Sequence, residues 1–229
     1  MADAFFDFLK HRAIHSEALY ILGDLFEAWW GDDNPDPLPR RIIAALQQLS
    51  QAGVALYFIH GNRDFSIGKK FCAETACTLL ADTHLIETRG KRILLMHGDT
   101  LCSDDVNYQK FRRLVRNPVL LGLLRSLPRN IRRKLAEKGR SKSQQSNRNK
   151  AEYIMDVNAE TLKQNFIEHR ADIIIHGHTH RPGHQTIELE DKTVERIVLG
   201  DWSEQQGWLA TLNDAGEVNL ESFAITARS

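Results

Sequence analysis

The chain has 229 residues, 42% of them hydrophobic and 26% charged, the proportions of an ordinary globular domain with a sizeable core. Thirty Lys and Arg balance thirty Asp and Glu, so the chain as a whole offers no polyelectrolyte surface for nucleic acid. Three cysteines (Cys72, Cys77, Cys102) make no paired framework and suit a reducing cytosol; Met1 to Lys10 carries acids where a secretory signal would carry Lys or Arg, and no run is long and apolar enough to span a bilayer.

Taken in order, Phe5 to Ile14 shows helical spacing of apolar residues, and Ala18 to Leu22 is a short apolar run ending at Gly23-Asp24. Leu38 to Gly53 reads as a helix with Ile42, Ile43, Leu46 and Leu49 on one side. Val54 to Ile59 is a second apolar run, ending at His60-Gly61-Asn62-Arg63-Asp64, and Ile93 to Met96 a third, ending at His97-Gly98-Asp99. Asp172 to Ile175 is the fourth and runs into His176-Gly177-His178-Thr179-His180. The tail from Thr186 reads as β structure. Strands alternating with helices predict an α/β core.

Each of the four apolar runs stops at a glycine beside a metal-ligand side chain: Asp24, Asn62, His97, and His178 with His180. In α/β sheets ligands bind where strands end, and glycines there allow tight turns and close backbone approach. Carboxylate, amide and imidazole donors without thiolate predict a Mn²⁺, Fe²⁺, Zn²⁺ or Mg²⁺ centre. The i, i+2 spacing of His178 and His180 can aim both rings at one point or at two neighbouring points. Asp3, Asp7, His11 and His15, four apart on the first helix, could bind metal but read better as a solvated face.

These four motifs, in this order, resemble the calcineurin-like metallophosphoesterases. The fuller wording of residues 20–29, 58–65, 96–102 and 176–182 is similar to the UDP-2,3-diacylglucosamine pyrophosphohydrolases within them, a family of lipid A synthesis. The resemblance implies an α/β sandwich of two packed sheets flanked by helices, one domain over 1–229, and a helical cap inserted at about 106–165. It implies two Mn²⁺ ions: Asp24 bridges them, Asn62, His97 and His178 complete one site, and His180 belongs to the other. Asp24, Asn62, His97 and His178 are then the catalytic set, acting on water that attacks the α-phosphorus of UDP-2,3-diacylglucosamine to release UMP. His176 is either an orienter of the ligands or a buried hydrogen-bonded histidine. The family's remaining ligands come from an Asp-x-His motif on a first strand, and no such motif precedes the first helix here. The expectation is a chain that starts late, with one metal site whole, the other reduced to Asp24 and His180, and turnover impaired.

Between Lys110 and Lys150 lie fourteen Lys or Arg and one acid, Glu137, interleaved with leucines, and Pro128 interrupts the run. The spacing predicts two or more amphipathic helices, read either as a surface for anionic membrane or as a cap with a core face and a solvated basic face. No aromatic residue falls between Arg112 and Lys150, which argues against nucleic acid. By the resemblance, Asn62, Arg63, Asp105, Ser143, Asn147, Lys150 and His178 contact the substrate; without it, Ser143 and Asn147 read equally as helix caps. The implied location is the cytoplasmic face of the bacterial inner membrane, with no obligate protein partner. The alternatives are another metallophosphoesterase, or a non-catalytic lipid- or nucleotide-binding relative.

Overall fold

A computed structural model describes residues 2–148 and 156–225, with side chains over 2–141 and 156–225. Helix α1 (Ala2–His11) buries Ala4, Phe8 and Leu9, and a short 3-10 turn leads into strand β1 (Ala18–Ile21). Helix α2 (Pro37–Gln51) begins with proline, whose missing N–H costs nothing in a first turn, and buries the four residues that its spacing marks. Strand β2 (Ala55–Phe58), helix α3 (Lys69–Thr75) and strand β3 (Thr78–Leu79) follow, giving a parallel sheet in the order β1-β2-β3.

Strands β4 (Thr83–Thr88) and β5 (Lys91–Met96) form a hairpin that opens a second sheet. Helices α4 (Val106–Val115), α5 (Pro118–Ser126) and α6 (Arg129–Arg148) occupy the basic insertion, and α7 (Ala159–His169) returns the chain to β6 (Ile173–His176). Strands β7 (Gly183–Glu188) and β8 (Thr193–Val198) complete a five-stranded sheet in the order β4-β5-β6-β8-β7. Strands β9 (Gln206–Leu212) and β10 (Val218–Ala224), among the described residues, pair with each other alone. Sequence pattern located these elements except α3, β3, β4, α7 and the start of β7, whose spacing carries no strong periodicity.

Alternation along the strands builds the layers. Ile93, Leu95, Ile173 and Ile175 point to one face of the second sheet and pack with Leu22 and Ile59 of the first; this is the middle of a sandwich. Leu94, Met96 and Ile174 point the other way, against Leu162 and Phe166 of α7. The outer face of the first sheet is covered by α1, α2 and α3 through Phe8, Ile42, Leu46 and Phe71. Strand β9 divides its side chains in the same way: Leu209 joins the outer cluster and Ala210 the middle one. The expected two-sheet sandwich is present, with one correction: its first layer is two hydrogen-bonded pieces, β1-β2-β3 and β9-β10.

The insertion is helical, broken at Pro118 and at Pro128, where a missing N–H and a constrained preceding residue stop a helix. Among the described residues, helices α4 and α5 bury no side chain.

At the ends of β1 and β2 the two loops touch. A Cβ on Gly23 would lie 2.3 Å from the Gly61 amide nitrogen, and Gly23 has a φ of +86°. Gly23→Ala is therefore expected to cost about 2 kcal/mol or more in urea unfolding, against about 1 kcal/mol for Gly90→Ala, which shares a positive φ but meets nothing within 4 Å.

Candidate metal centre

The four strand ends converge. Asp24, His97 and His178 each offer one ligand atom, and these atoms lie within 4.8 Å of one another, the one such group of His, Cys, Asp and Glu among the described residues. Asn62 joins them, its Oδ1 lying 3.0 Å from His97 Nε2 and 3.1 Å from His178 Nδ1. Asp24 and His178 reach this point from left-handed backbone, at φ of 55° and 68°. Non-glycine residues held there are sparsely populated and cluster at functional sites.

The donor set fits a divalent cation. His97 Nδ1 lies 2.7 Å from the Leu22 carbonyl, which can only accept, so this nitrogen carries the proton and Nε2 carries a lone pair. That lone pair faces Asn62 Oδ1 and, at 3.7 Å, Asp24 Oδ2. Lone pairs facing lone pairs repel unless a cation or a further proton lies among them. Burial, reinforced by the neighbouring His97, pushes the His178 imidazole down to about 4, so near neutrality it is uncharged and able to ligate. Oxygen and nitrogen donors without thiolate suit Mn²⁺, Fe²⁺, Zn²⁺ or Mg²⁺.

A buried carboxylate that sequence reading assigned no role holds the loops in place. Asp64 accepts from Leu25 N with Oδ2 and from Gly61 N with Oδ1, both at 2.8 Å. It thereby ties the loop after β1 to the loop after β2. Burial and then the nearby Asp24 raise its carboxyl above the ordinary value. The Arg63 amide donates to Asp24 Oδ1 at 2.9 Å, and its guanidinium lies 3.6 Å from Asp24 and 3.1 Å from Glu27.

His180 stands apart. Its Nδ1 pairs with Asp201, in the loop between β8 and β9, outside the three-residue group. Asp201 has no signal in the sequence beyond following Gly200. His176 is buried and hydrogen-bonded: Nδ1 lies 2.8 Å from the Gly177 carbonyl, and Nε2 accepts from Arg196 at 3.0 Å. Burial, then Arg196, pushes it down to about 3. Asp7 and His11 pair with each other on an exposed helix face, away from the centre.

The cap reaches this centre through α4. Tyr108 lies over His178 with ring centroids 6.2 Å apart and donates its hydroxyl to Asp99 at 2.6 Å. Asp99, buried beside His97, also accepts from Arg112 at 2.7 Å. Burial alone would raise its carboxyl, but His97, Arg112 and Arg116 outweigh that and hold it well below the usual range. Arg116 donates to the carbonyls of His60 and Gly61, at 3.3 and 3.1 Å. Asp105 caps α4, accepting from Tyr108 N at 3.1 Å. Ser143 and Asn147 lie in α6 where side chains are outside the described residues, and Lys150 lies outside them altogether.

A calcineurin-like phosphoesterase family profile matches residues 2–182, four-fifths of the chain, and that stretch contains every one of these donors. The chain belongs to this family of hydrolases. Two proteins named UDP-2,3-diacylglucosamine hydrolase, from Yersinia pseudotuberculosis serotype O:1b and Yersinia pestis biovar Antiqua, are each 50% identical to it over 198 residues, covering 86% of this phosphoesterase and 82% of theirs. A solved archaeal phosphodiesterase is 11% identical, covers 97% of this chain and 91% of its own, and superposes with a TM-score of 0.46.

Removing the Asp99 charge would leave Arg112 without its buried partner. Asp99→Asn is expected to destabilise the fold by about 3 kcal/mol in chemical denaturation, more than Asp82→Asn on the exposed side of the same pair.

Proposed function

We propose that the chain hydrolyses the pyrophosphate bond of UDP-2,3-diacylglucosamine in lipid A synthesis. Water attacks the α-phosphorus, and the bond from that phosphorus to the bridging oxygen breaks. UMP leaves with the new oxygen and 2,3-diacylglucosamine 1-phosphate with the bridging one. The observation that carries this reading is the convergence of Asp24, Asn62, His97 and His178 beneath an apolar, arginine-rich cap, in a chain half identical to proteins named for that hydrolysis.

Of the two Mn²⁺ ions of the family, one would be held by Asp24, Asn62, His97 and His178, while the other would have only Asp24 and His180 in this chain, and His180 already pairs with Asp201. When bound, such ions lower the pKa of water and neutralise charge building on phosphoryl oxygens. The chain's own groups do the rest. The Leu22 carbonyl fixes the His97 tautomer, and Asp64 fixes the loops that carry Asp24 and Asn62. Arg63, beside Asp24 and half-exposed, presents a fork suited to a diphosphate. Asp105 with Ser143, Asn147 and Lys150 would hold the nucleotide and sugar. No serine or cysteine nucleophile is required. Residues 106–165 act as the cap of a single domain.

The cap also suits an acylated substrate delivered from a membrane. Leu114, Val119 and Leu123 are 61%, 71% and 62% exposed, and Phe111, Ile131 and Leu135 are also open to solvent. No helix among the described residues is long and apolar enough to cross a membrane. Attachment to the cytoplasmic face of the inner membrane would be peripheral, by these side chains and the cap's basic residues.

UMP release from UDP-2,3-diacylglucosamine should require Mn²⁺, stop with EDTA, and fall about 10³-fold in kcat/KM on His97→Ala. Tight substrate binding without turnover at saturating Mn²⁺ would instead support a binding relative, and equal turnover of simple phosphomonoesters a broader phosphoesterase. Sedimentation with phosphatidylglycerol vesicles should exceed that with phosphatidylcholine, weaken with salt, and fall about tenfold or more on joint Val119→Glu and Leu123→Glu substitution.

A further inference from the structure

Residues 59–68 join β2 to α3 and carry Asn62 and Arg63. Asn62 meets the other metal donors only if its Cα–Cβ bond is aimed at them, and the two peptide planes that flank it set that direction. The plane after Asn62 is held from within the centre: the Arg63 amide donates to Asp24 Oδ1 at 2.9 Å. The plane before it is held from the cap: Arg116 Nη2 donates to the Gly61 carbonyl at 3.1 Å and to the His60 carbonyl at 3.3 Å.

A second guanidinium does the same at the other end of the loop. Arg125 Nη2 donates to the Ser66 and Ile67 carbonyls at 3.2 and 3.4 Å. The His60 ring ties the two ends together, its Nε2 lying 2.9 Å from the Ile67 carbonyl. Arg116 and Arg125 also belong to one stiff piece of the cap. The Arg116 amide closes α4 on the Arg112 carbonyl, and the Asn117 side chain caps α5 by accepting from the Val119 and Leu120 amides. Helix α5, nine residues or roughly 13 Å long, carries Arg125 in its last turn. Hydrogen bonds from a guanidinium to carbonyls are charge-assisted, so a loop gripped at both ends follows the helix that grips it.

We propose that Arg116 and Arg125 are positioning residues for the metal centre: two cap guanidiniums that hold both ends of this loop and so aim Asn62 at His97 and His178. Seating of the cap and affinity for the metal are then coupled through Asn62, and by reciprocity a bound metal favours the seated cap. Arg129 supplies the contrast. It fastens the cap to Asp33, on the loop between β1 and α2, and Arg132 keeps that acid paired when Arg129 is lost. General loosening of the cap would follow from losing any of these arginines, whereas misdirection of Asn62 follows only from losing Arg116 or Arg125. The metal part of the inference rests on the donor reading given under the proposed function, and the loop part does not.

Two measurements on the full chain test this. In metal-free protein, Arg125→Ala should speed amide exchange at Gly61 and Arg63, which donate to Asp64 and Asp24, by about fivefold or more, while Arg129→Ala stays within about twofold of the unchanged chain. Titration of Mn²⁺, with the free ion followed by electron paramagnetic resonance, should show its dissociation constant rising about fivefold or more in Arg125→Ala and less than about twofold in Arg129→Ala. Arg125→Lys, which keeps the charge and N–H donors but not the planar fork, should recover part of both losses. Arg116 also pairs with Asp82 and Asp99, so Arg125→Ala, on an exposed side chain, decides the matter even if Arg116→Ala does not fold. Equal effects of Arg125→Ala and Arg129→Ala would overturn the inference, because the arginines would then only fasten the cap. Faster exchange with unchanged Mn²⁺ affinity would also overturn it, because the loop would be gripped without Asn62 being aimed. An unchanged chain that binds no Mn²⁺ would sink the donor reading itself, and the exchange comparison, run without metal, tells that failure apart from failure of the grip.

Discussion

One buried carboxylate sets the geometry on which the metal centre depends. Asp64 accepts from backbone amides of two loops that are far apart in sequence, and so holds Asp24 and Asn62 at a fixed separation. The contact succeeds because Gly23 and Gly61 let the loop backbones approach without side chains between them. The arrangement is costly in isolation. Two carboxylates, Asp24 and Asp64, lie near each other in a largely water-excluded place, and Asp64 has its protonation raised by burial and by that neighbour. Two amide hydrogen bonds offset part of the cost, and a divalent cation among Asp24, Asn62, His97 and His178 would offset more.

The cap is built on a different principle. Helices α4 and α5 bury no side chain, and arginines fasten the cap to the sandwich. Arg112 and Arg116 pair with Asp82 and Asp99, Arg129 and Arg132 with Asp33, and Arg140 with Glu27; Arg125 donates to the Ser66 and Ile67 carbonyls. Much of the basic charge is therefore spoken for by acids on the loops below, which leaves less for a membrane surface than the count of fourteen suggests. The same pairs connect cap to centre, since Arg116 holds the carbonyls next to Asn62, and Tyr108 links Asp99 to the face of His178. A cap fastened by polar contacts, with its leucines turned outward, suits a site that must admit an amphiphile.

Much of the fold was legible along the chain, because fully buried strands carry continuous apolar runs and their ends carry the chemistry. The run Ile173-Ile174-Ile175 feeds both faces of its sheet, and His176 to His180 follow at once in the turn. Asp64 and Asp99 were quoted within those motifs without a role, because an aspartate in a turn reads locally as a turn residue. Their importance comes from the Leu25 and Gly61 amides, Arg112 and Tyr108, and no spacing shows that these groups meet them. His180 shows the same limit: it sits two residues from His178, and only the path of the chain after β8 brings Asp201 to it.

The sequence by itself determined an α/β core, the four strand ends with their candidate donors and the helical character of the basic insertion. These follow from local periodicity and from residue types that have few alternative uses; the sandwich of two sheets was implied only by the family resemblance. Tertiary structure alone decided which nitrogen of His97 is free, which acids absorb the cap's arginines, and that Asp201 meets His180. Those features depend on backbone carbonyls and pairs of residues far apart in the chain, and a one-dimensional pattern carries no record of what faces what.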